Sequence, residues 1–393
     1  MSRVETQPGL VFELNNASKH TVYNGWDRPR IHLILDYVDE ADAVSLPEPT
    51  VLAPGQRLRQ TRRTIDVEGA PRRFSIPHFC IIGAQKAGTT SMYDMLCLHP
   101  LVVPAQRKEP HFLDWRWNLE KADESDTEAL RQQWAQYFDA AQLTECPSLM
   151  TGEATPSYLL GGELVATRMA KLAPDARLVV ILREPVERAY SHYRMCADTR
   201  GSAQQLANRG HEHVRDKDFS RVVAEDLAAL EAAAVDARGV ADGPSAAFEQ
   251  GYCHRFGDQQ PTHGAHSFVG RGLYAAQLWP WLRHFPAEQL LVITLDQLAT
   301  PEGARETMAR VFEFVGLPRS AAAAEACAAN SRSNARPTET PMDRATEQRL
   351  RQFYEPHNAA LQALLAKTGH HHAAAEAVGA WRLSEAEAVA AAK

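Results

Sequence analysis

The clearest chemistry in this chain lies in Gly83-Ala84-Gln85-Lys86-Ala87-Gly88-Thr89-Thr90-Ser91. It follows the short apolar run Phe79–Ile82 and opens a helical pattern through Met92, Met95 and Leu96. A glycine-bounded turn after a strand points successive backbone N–H groups into one concavity. The helix N-terminus behind it adds partial positive charge, so the place suits a phosphate or a sulfuryl group. The glycine spacing is that of a nucleotide-triphosphate loop, but Thr89 stands where that loop requires lysine, and the lysine has moved back to Lys86. The hydroxyls of Thr89, Thr90 and Ser91 supply further donors around the same anion.

A second anion site follows the apolar run Arg177–Leu182, where Arg183-Glu184-Pro185 halts a strand and starts a helix carrying Glu187, Arg188, Tyr190, Ser191 and Tyr193. A nucleotide hydrolase would end this strand in an aspartate for magnesium; Arg183 stands there instead. Arg183 and Ser191 can share one phosphate across two helical turns, or Arg183 can be an ion-pair partner of Glu187. Between the two anion sites comes Arg107-Lys108-Glu109-Pro110-His111-Phe112-Leu113-Asp114-Trp115. Two carboxylates and an imidazole sit there among apolar residues, and burial of that kind is expected to raise the carboxylate pKa of Glu109 and make it a usable base. A solvated charged loop would carry the same letters.

The elements that must position these residues read as α/β. From 71 to 372 strands alternate with helices, which implies a mostly parallel sheet covered on both faces, with ligands beyond the carboxyl ends of its strands. Strand candidates are Phe79–Ile82, Leu101–Val103, Arg177–Leu182 and Leu290–Thr294. Residues 198–266 read as an insertion containing the amphipathic helix Phe219–Ala234, either a solvated excursion or a substrate lid. Residues 1–70 are a β-rich extension ending in a Pro- and Arg-rich linker, and 373–393 are an Ala-rich tail expected to form a frayed surface helix. The 393 residues carry 45% hydrophobic residues and a formal charge of -7, which argues against a general nucleic-acid binder. Six cysteines without CxxC pairs read as reduced thiols, not a zinc site or disulfide frame, and no metal is expected. With no apolar run of membrane-spanning length, the expectation is a cytoplasmic protein with no membrane partner.

Four ordered motifs, GAQKAGTTSMYDMLCLHPLV, KEPHFLDW, GEATPSYLL and LREPVERAYSHY, resemble the sulfotransferase family, above all its heparan sulfate 3-O- and N-sulfotransferase branch and related bacterial enzymes. Gly272–Leu298 and Leu350–Leu365 fit the same pattern, so the resemblance runs from about Arg72 to Thr368. It implies a P-loop-like fold and 3′-phosphoadenosine 5′-phosphosulfate (PAPS) as sulfate donor. Carried over, it implies that Lys86, Ala87, Gly88, Thr89, Thr90 and Ser91 hold the 5′-phosphosulfate and that Arg183 and Ser191 hold the 3′-phosphate. It makes Glu109 the catalytic base beside Lys86, with His111 assisting and Asp114 as neighbour. Ala154 departs from the family, replacing a lysine near the transferred group, and the C-terminal cofactor loop falls near Asn330–Arg336. The N-terminal extension resembles the last strands of an aspartyl/asparaginyl β-hydroxylase, with His20 and Arg30 at its iron and 2-oxoglutarate positions. One histidine makes no iron site.

The expected function is transfer of a sulfuryl group from PAPS to a hydroxyl or amine of a small-molecule or carrier-bound acceptor, saccharides included. The alternatives are a P-loop kinase-like phosphotransferase, which lacks its lysine and strand-end acid here, and a non-catalytic nucleotide-binding module.

Overall fold

The computed structural model describes residues 77–383 apart from 118–125, 140–141, 144–145, 147, 233–266, 331–340 and 368–371. Among the described residues, five parallel strands form the sheet: β1 (Phe79–Gly83), β2 (Val102–Pro104), β3 (Met150–Ala154), β4 (Arg177–Leu182) and β5 (Leu290–Thr294), in the order β2-β3-β1-β4-β5. The main helices are α1 (Thr89–Leu96), α2 (Thr127–Ala135), α3 (Gly162–Leu172), α4 (Pro185–Ala197), α5 (Ala203–Asn208), α6 (Phe219–Ala232), α7 (Tyr274–His284), α8 (Pro301–Val315), α9 (Ala321–Ala329), α10 (Arg344–Lys367) and α11 (His372–Gly379).

Strand alternation divides the interior in two. Cys80, Ile82, Leu178, Val180 and Val292 face one core with Met169 of α3, Trp281 of α7 and Tyr354 of α10. Phe79, Ile81, Val179, Ile181 and Ile293 face the other with Met92 of α1 and Met308 and Phe312 of α8. Because helices cover both faces, these strands read as continuous apolar runs. β3 does not read that way and was not expected from the sequence. Its letters, Met-Thr-Gly-Glu-Ala, are poor strand formers, and it exists because β1 and β2 pair with it on either side.

β1 and β4 are neighbours, and Ala84 N–H donates to Ile181 O at 2.7 Å just past the end of β1. The turns after the two strands therefore leave the sheet side by side at its carboxyl edge. Over 373–383 the expected frayed surface helix is instead packed, and 384–393 lie outside the described residues. Ala374, Ala375, Val378 and Trp381 are buried, Trp381 Nε1 donates to Asp296 Oδ2 at 3.1 Å, and Arg382 pairs with Glu355 at 2.9 Å. Alanines let α11 approach α10 closely, so a face with few bulky residues still becomes interior. Within the insertion, α5 and α6 are described, while 233–266, the N-terminal extension with His20 and Arg30, and the loop at 331–336 lie outside the described residues. Among the described residues, no helix is long and apolar enough to cross a membrane.

Candidate active site

The phosphate loop is built by local backbone geometry. Lys86 adopts φ 70° and Gly88 φ 97°, two left-handed residues that turn the chain between β1 and α1. A Cβ at Gly88 would stand 2.8 Å from Leu295 Cδ1, so glycine is required by space as well as by conformation. No side chain caps α1, which leaves the N–H groups of its first turn available to an anion. Ala87 and Thr89 are buried, Lys86, Gly88 and Ser91 half-buried, and Thr90 exposed at the mouth.

Glu109 is brought to this loop by a residue to which the sequence assigned no role. The Lys108 ammonium donates to Thr90 Oγ1 at 3.1 Å and to Glu109 Oε1 at 2.5 Å. The Lys108 carbonyl accepts from Ala154 N–H at 3.0 Å, so the end of β3 fixes the segment. Ala154 thus contributes its backbone where the resemblance places a lysine side chain. On the other side of Glu109, His111 Nε2 stands 3.8 Å from Oε2, and His111 Nδ1 stands 3.0 Å from Asp114 Oδ2. Ser157 Oγ donates to the same Asp114 oxygen at 2.5 Å. A chain of polar groups therefore runs from a half-exposed carboxylate through a buried imidazole to a fully buried carboxylate.

The electrostatics correct one expectation. Burial does push the Glu109 carboxyl upward, but the His111 imidazolium and the Lys108 ammonium outweigh it and hold the pKa at about 2. For His111, burial acts downward, yet Asp114 and Glu109 raise it to about 9. The pair is a carboxylate and an imidazolium at neutral pH, and Glu109 is ionised without any raised pKa. Burial does raise Glu153 at the end of β3, up to about 8, partly offset by donors from Thr155 (2.5 Å) and Tyr158 (3.0 Å).

Arg183 leaves β4 with its guanidinium 3.0 Å from Glu187, so the ion-pair alternative is formed in this structure. An exposed pair at i,i+4 is worth only ~0.3–0.5 kcal/mol, little enough for a phosphate to displace. Ser191 lies farther along α4, half-buried. Trp117, Trp134 and Phe138 are core residues, with Phe112 stacked on Trp134 at 5.9 Å. Lys108 was findable from its place beside Glu109; Arg188 and Arg271, which both reach Gln85 in the loop, were not.

A parallel sheet with a left-handed turn and an uncapped helix after its central strand, and a carboxylate held against that turn, defines a class: an α/β domain with the backbone geometry of an anion cradle. Residues 77–238 match the profile described as the sulfotransferase family. Human carbohydrate sulfotransferase 15 is 31% identical over 330 residues, 74% of this chain and 54% of that protein. Human heparan sulfate glucosamine 3-O-sulfotransferase 3B1 is 28% identical over 316 residues, 75% of this chain and 64% of that protein. A crystal structure of a sulfotransferase from Alicyclobacillus acidocaldarius superposes with a TM-score of 0.47 at 22% identity, covering 76% of this chain and 98% of that one. The chain carries a sulfotransferase-family domain. It spans about half the length of the first of these relatives.

Proposed function

We propose that this chain transfers the sulfuryl group of PAPS to a hydroxyl or amine of its acceptor, with Glu109 as base. The observation that carries the reading is the single Lys108 ammonium shared by Thr90 of the phosphate loop and Glu109, which sets a carboxylate beside an anion cradle. The residues suit the donor: a left-handed turn with an uncapped helix behind it for the 5′ group, and Arg183 at the end of β4 with Ser191 on α4 for the 3′-phosphate. When bound, PAPS supplies an electrophilic sulfur with a phosphate leaving group. Lys86 and the α1 N-terminus stabilise negative charge growing at the bridging oxygen. Glu109 accepts the acceptor's proton, and the adjacent His111 imidazolium, fixed by Asp114, holds the carboxylate in place. The work is positioning and electrostatics. The words carbohydrate and glucosamine in the relatives' names support a saccharide acceptor.

The test is untargeted: the full chain is incubated with labelled PAPS and an extract or glycan panel, and products gaining sulfate are read by mass. Wild type yields a sulfated product, while Lys86→Ala and Glu109→Gln, both still folded, lose about 10²- to 10⁴-fold in rate. Full activity in both variants would reject the assignment. Magnesium-dependent ATP turnover in place of sulfation would favour the kinase-like alternative.

A further inference from the structure

α4 carries a buried cation that the reaction as described does not use. Arg188 is 0% exposed. Its guanidinium donates to Gln85 O in the phosphate loop at 3.4 Å and to Phe268 O, while its Nε has no hydrogen-bond partner. Among the described residues no carboxylate forms an ion pair with it. Arg271, 3% exposed, reaches Gln85 from another direction, with Nη1 2.6 Å from Gln85 Oε1. The Phe268–Arg271 segment that accepts and presents these groups is itself anchored. Asp226 Oδ2 accepts from Ser267 Oγ (3.0 Å) and Val269 N–H (2.9 Å), and Tyr354 OH donates to Val269 O (2.7 Å).

A fully buried guanidinium bonded only to neutral carbonyls is costly unless an anion comes close. Among the described residues, the candidate anion-binding feature in contact with it is the loop Gly83–Ser91, touched at Gln85. The Gln85 carbonyl that Arg188 holds lies just before the left-handed turn at Lys86 and Gly88, so the guanidinium helps fix the backbone of that turn. We propose that Arg188 is a positioning residue and fixed countercharge for the 5′-phosphosulfate end of the donor, acting through Gln85 and without touching the ligand. This rests on the PAPS reading above.

Titration calorimetry of the full chain with adenosine 3′,5′-bisphosphate and with adenosine 3′-monophosphate separates the possibilities. Thermal melts of the unliganded proteins are run alongside. Arg188→Gln removes the charge and keeps a donor; Arg188→Lys keeps the charge. The bisphosphate should bind Arg188→Gln about tenfold or more weakly than wild type, and the 3′-monophosphate nearly equally. The lysine variant should recover most of the loss, and the unliganded glutamine variant should melt no lower than about 2 °C below wild type. Unchanged bisphosphate affinity in a glutamine variant that melts well below wild type would make Arg188 merely structural and overturn the proposal. Equal weakening of both ligands would do the same. Should the glutamine variant fail to fold, the lysine variant decides: near-wild-type affinity supports the countercharge, and a tenfold loss rejects it. Failure of wild type to bind the bisphosphate would remove the PAPS reading itself, a result distinct from any difference among variants.

Discussion

At the level of single residues, the site works by opposing fields on two neighbouring groups. Glu109 is 28% exposed in its side chain and flanked by Lys108 and His111, so its proton is lost near pH 2, whereas His111 keeps its own to about pH 9. A carboxylate that strongly held is a weak base in the free protein, and a nearby anionic donor would partly cancel the cations around it. Two outcomes follow. Lys108→Met removes one of the groups depressing Glu109, so its pKa rises and the acid limb of kcat/KM moves to higher pH; a profile followed down to pH 2 that does not move would separate Lys108 from the base. In wild type the rate should be flat through neutrality and change as His111 loses its proton near pH 9, since Glu109 then loses its charged partner. A profile still flat above that point would leave His111 with a packing role only.

At the level of elements, the loop between β1 and α1 depends on conformations that few residues adopt. Gly88→Ala forces a Cβ into a left-handed backbone and against Leu295, so it should cost about 1–2 kcal/mol of stability from the backbone alone. It should also weaken adenosine 3′,5′-bisphosphate binding, because the α1 N–H groups shift. Calorimetric melting and titration check both; wild-type values in each would show that the turn tolerates a side chain. β3 illustrates the opposite dependence. Its sequence does not ask to be a strand, but its last residue fixes Lys108 through Ala154 N–H, so Glu109 is placed by an element that only its neighbours hold in shape.

Across the whole molecule, the buried polar groups set how stability responds to pH. Glu153 titrates in the folded protein near 8 and in the unfolded chain near its ordinary 4.5, so the folded state holds the extra proton between those values. Its contribution is fully present below 4.5 and is lost as pH rises through about 8. His111, raised from 6.5 to about 9, contributes below 6.5 and is lost on the way to 9. Glu109 runs the other way, contributing above 4.5 and lost as pH falls toward 2. The melting temperature should therefore decline from pH 5 to pH 9, and Glu153→Gln, which keeps the shape without the proton, should flatten the fall between 5 and 8. An unchanged slope would mean that Glu153 is ionised in the folded protein.

What the residues alone determined were the features written in short, contiguous stretches: the phosphate loop at Gly83–Ser91, the strand-end Arg183, the motif around Glu109 and the α/β alternation. Each is local, because a turn, a cap or an apolar run is specified within a few positions. What only the tertiary structure decided were relations between stretches far apart in the chain. Nothing in the local letters pairs Lys108 with Thr90, packs α11 inside, makes Met150–Ala154 a strand, or brings Arg188 and Arg271 onto Gln85. The sign of the Glu109 shift belongs there too. Burial can be guessed from apolar neighbours, but the balance between desolvation and nearby cations depends on distances that folding alone sets.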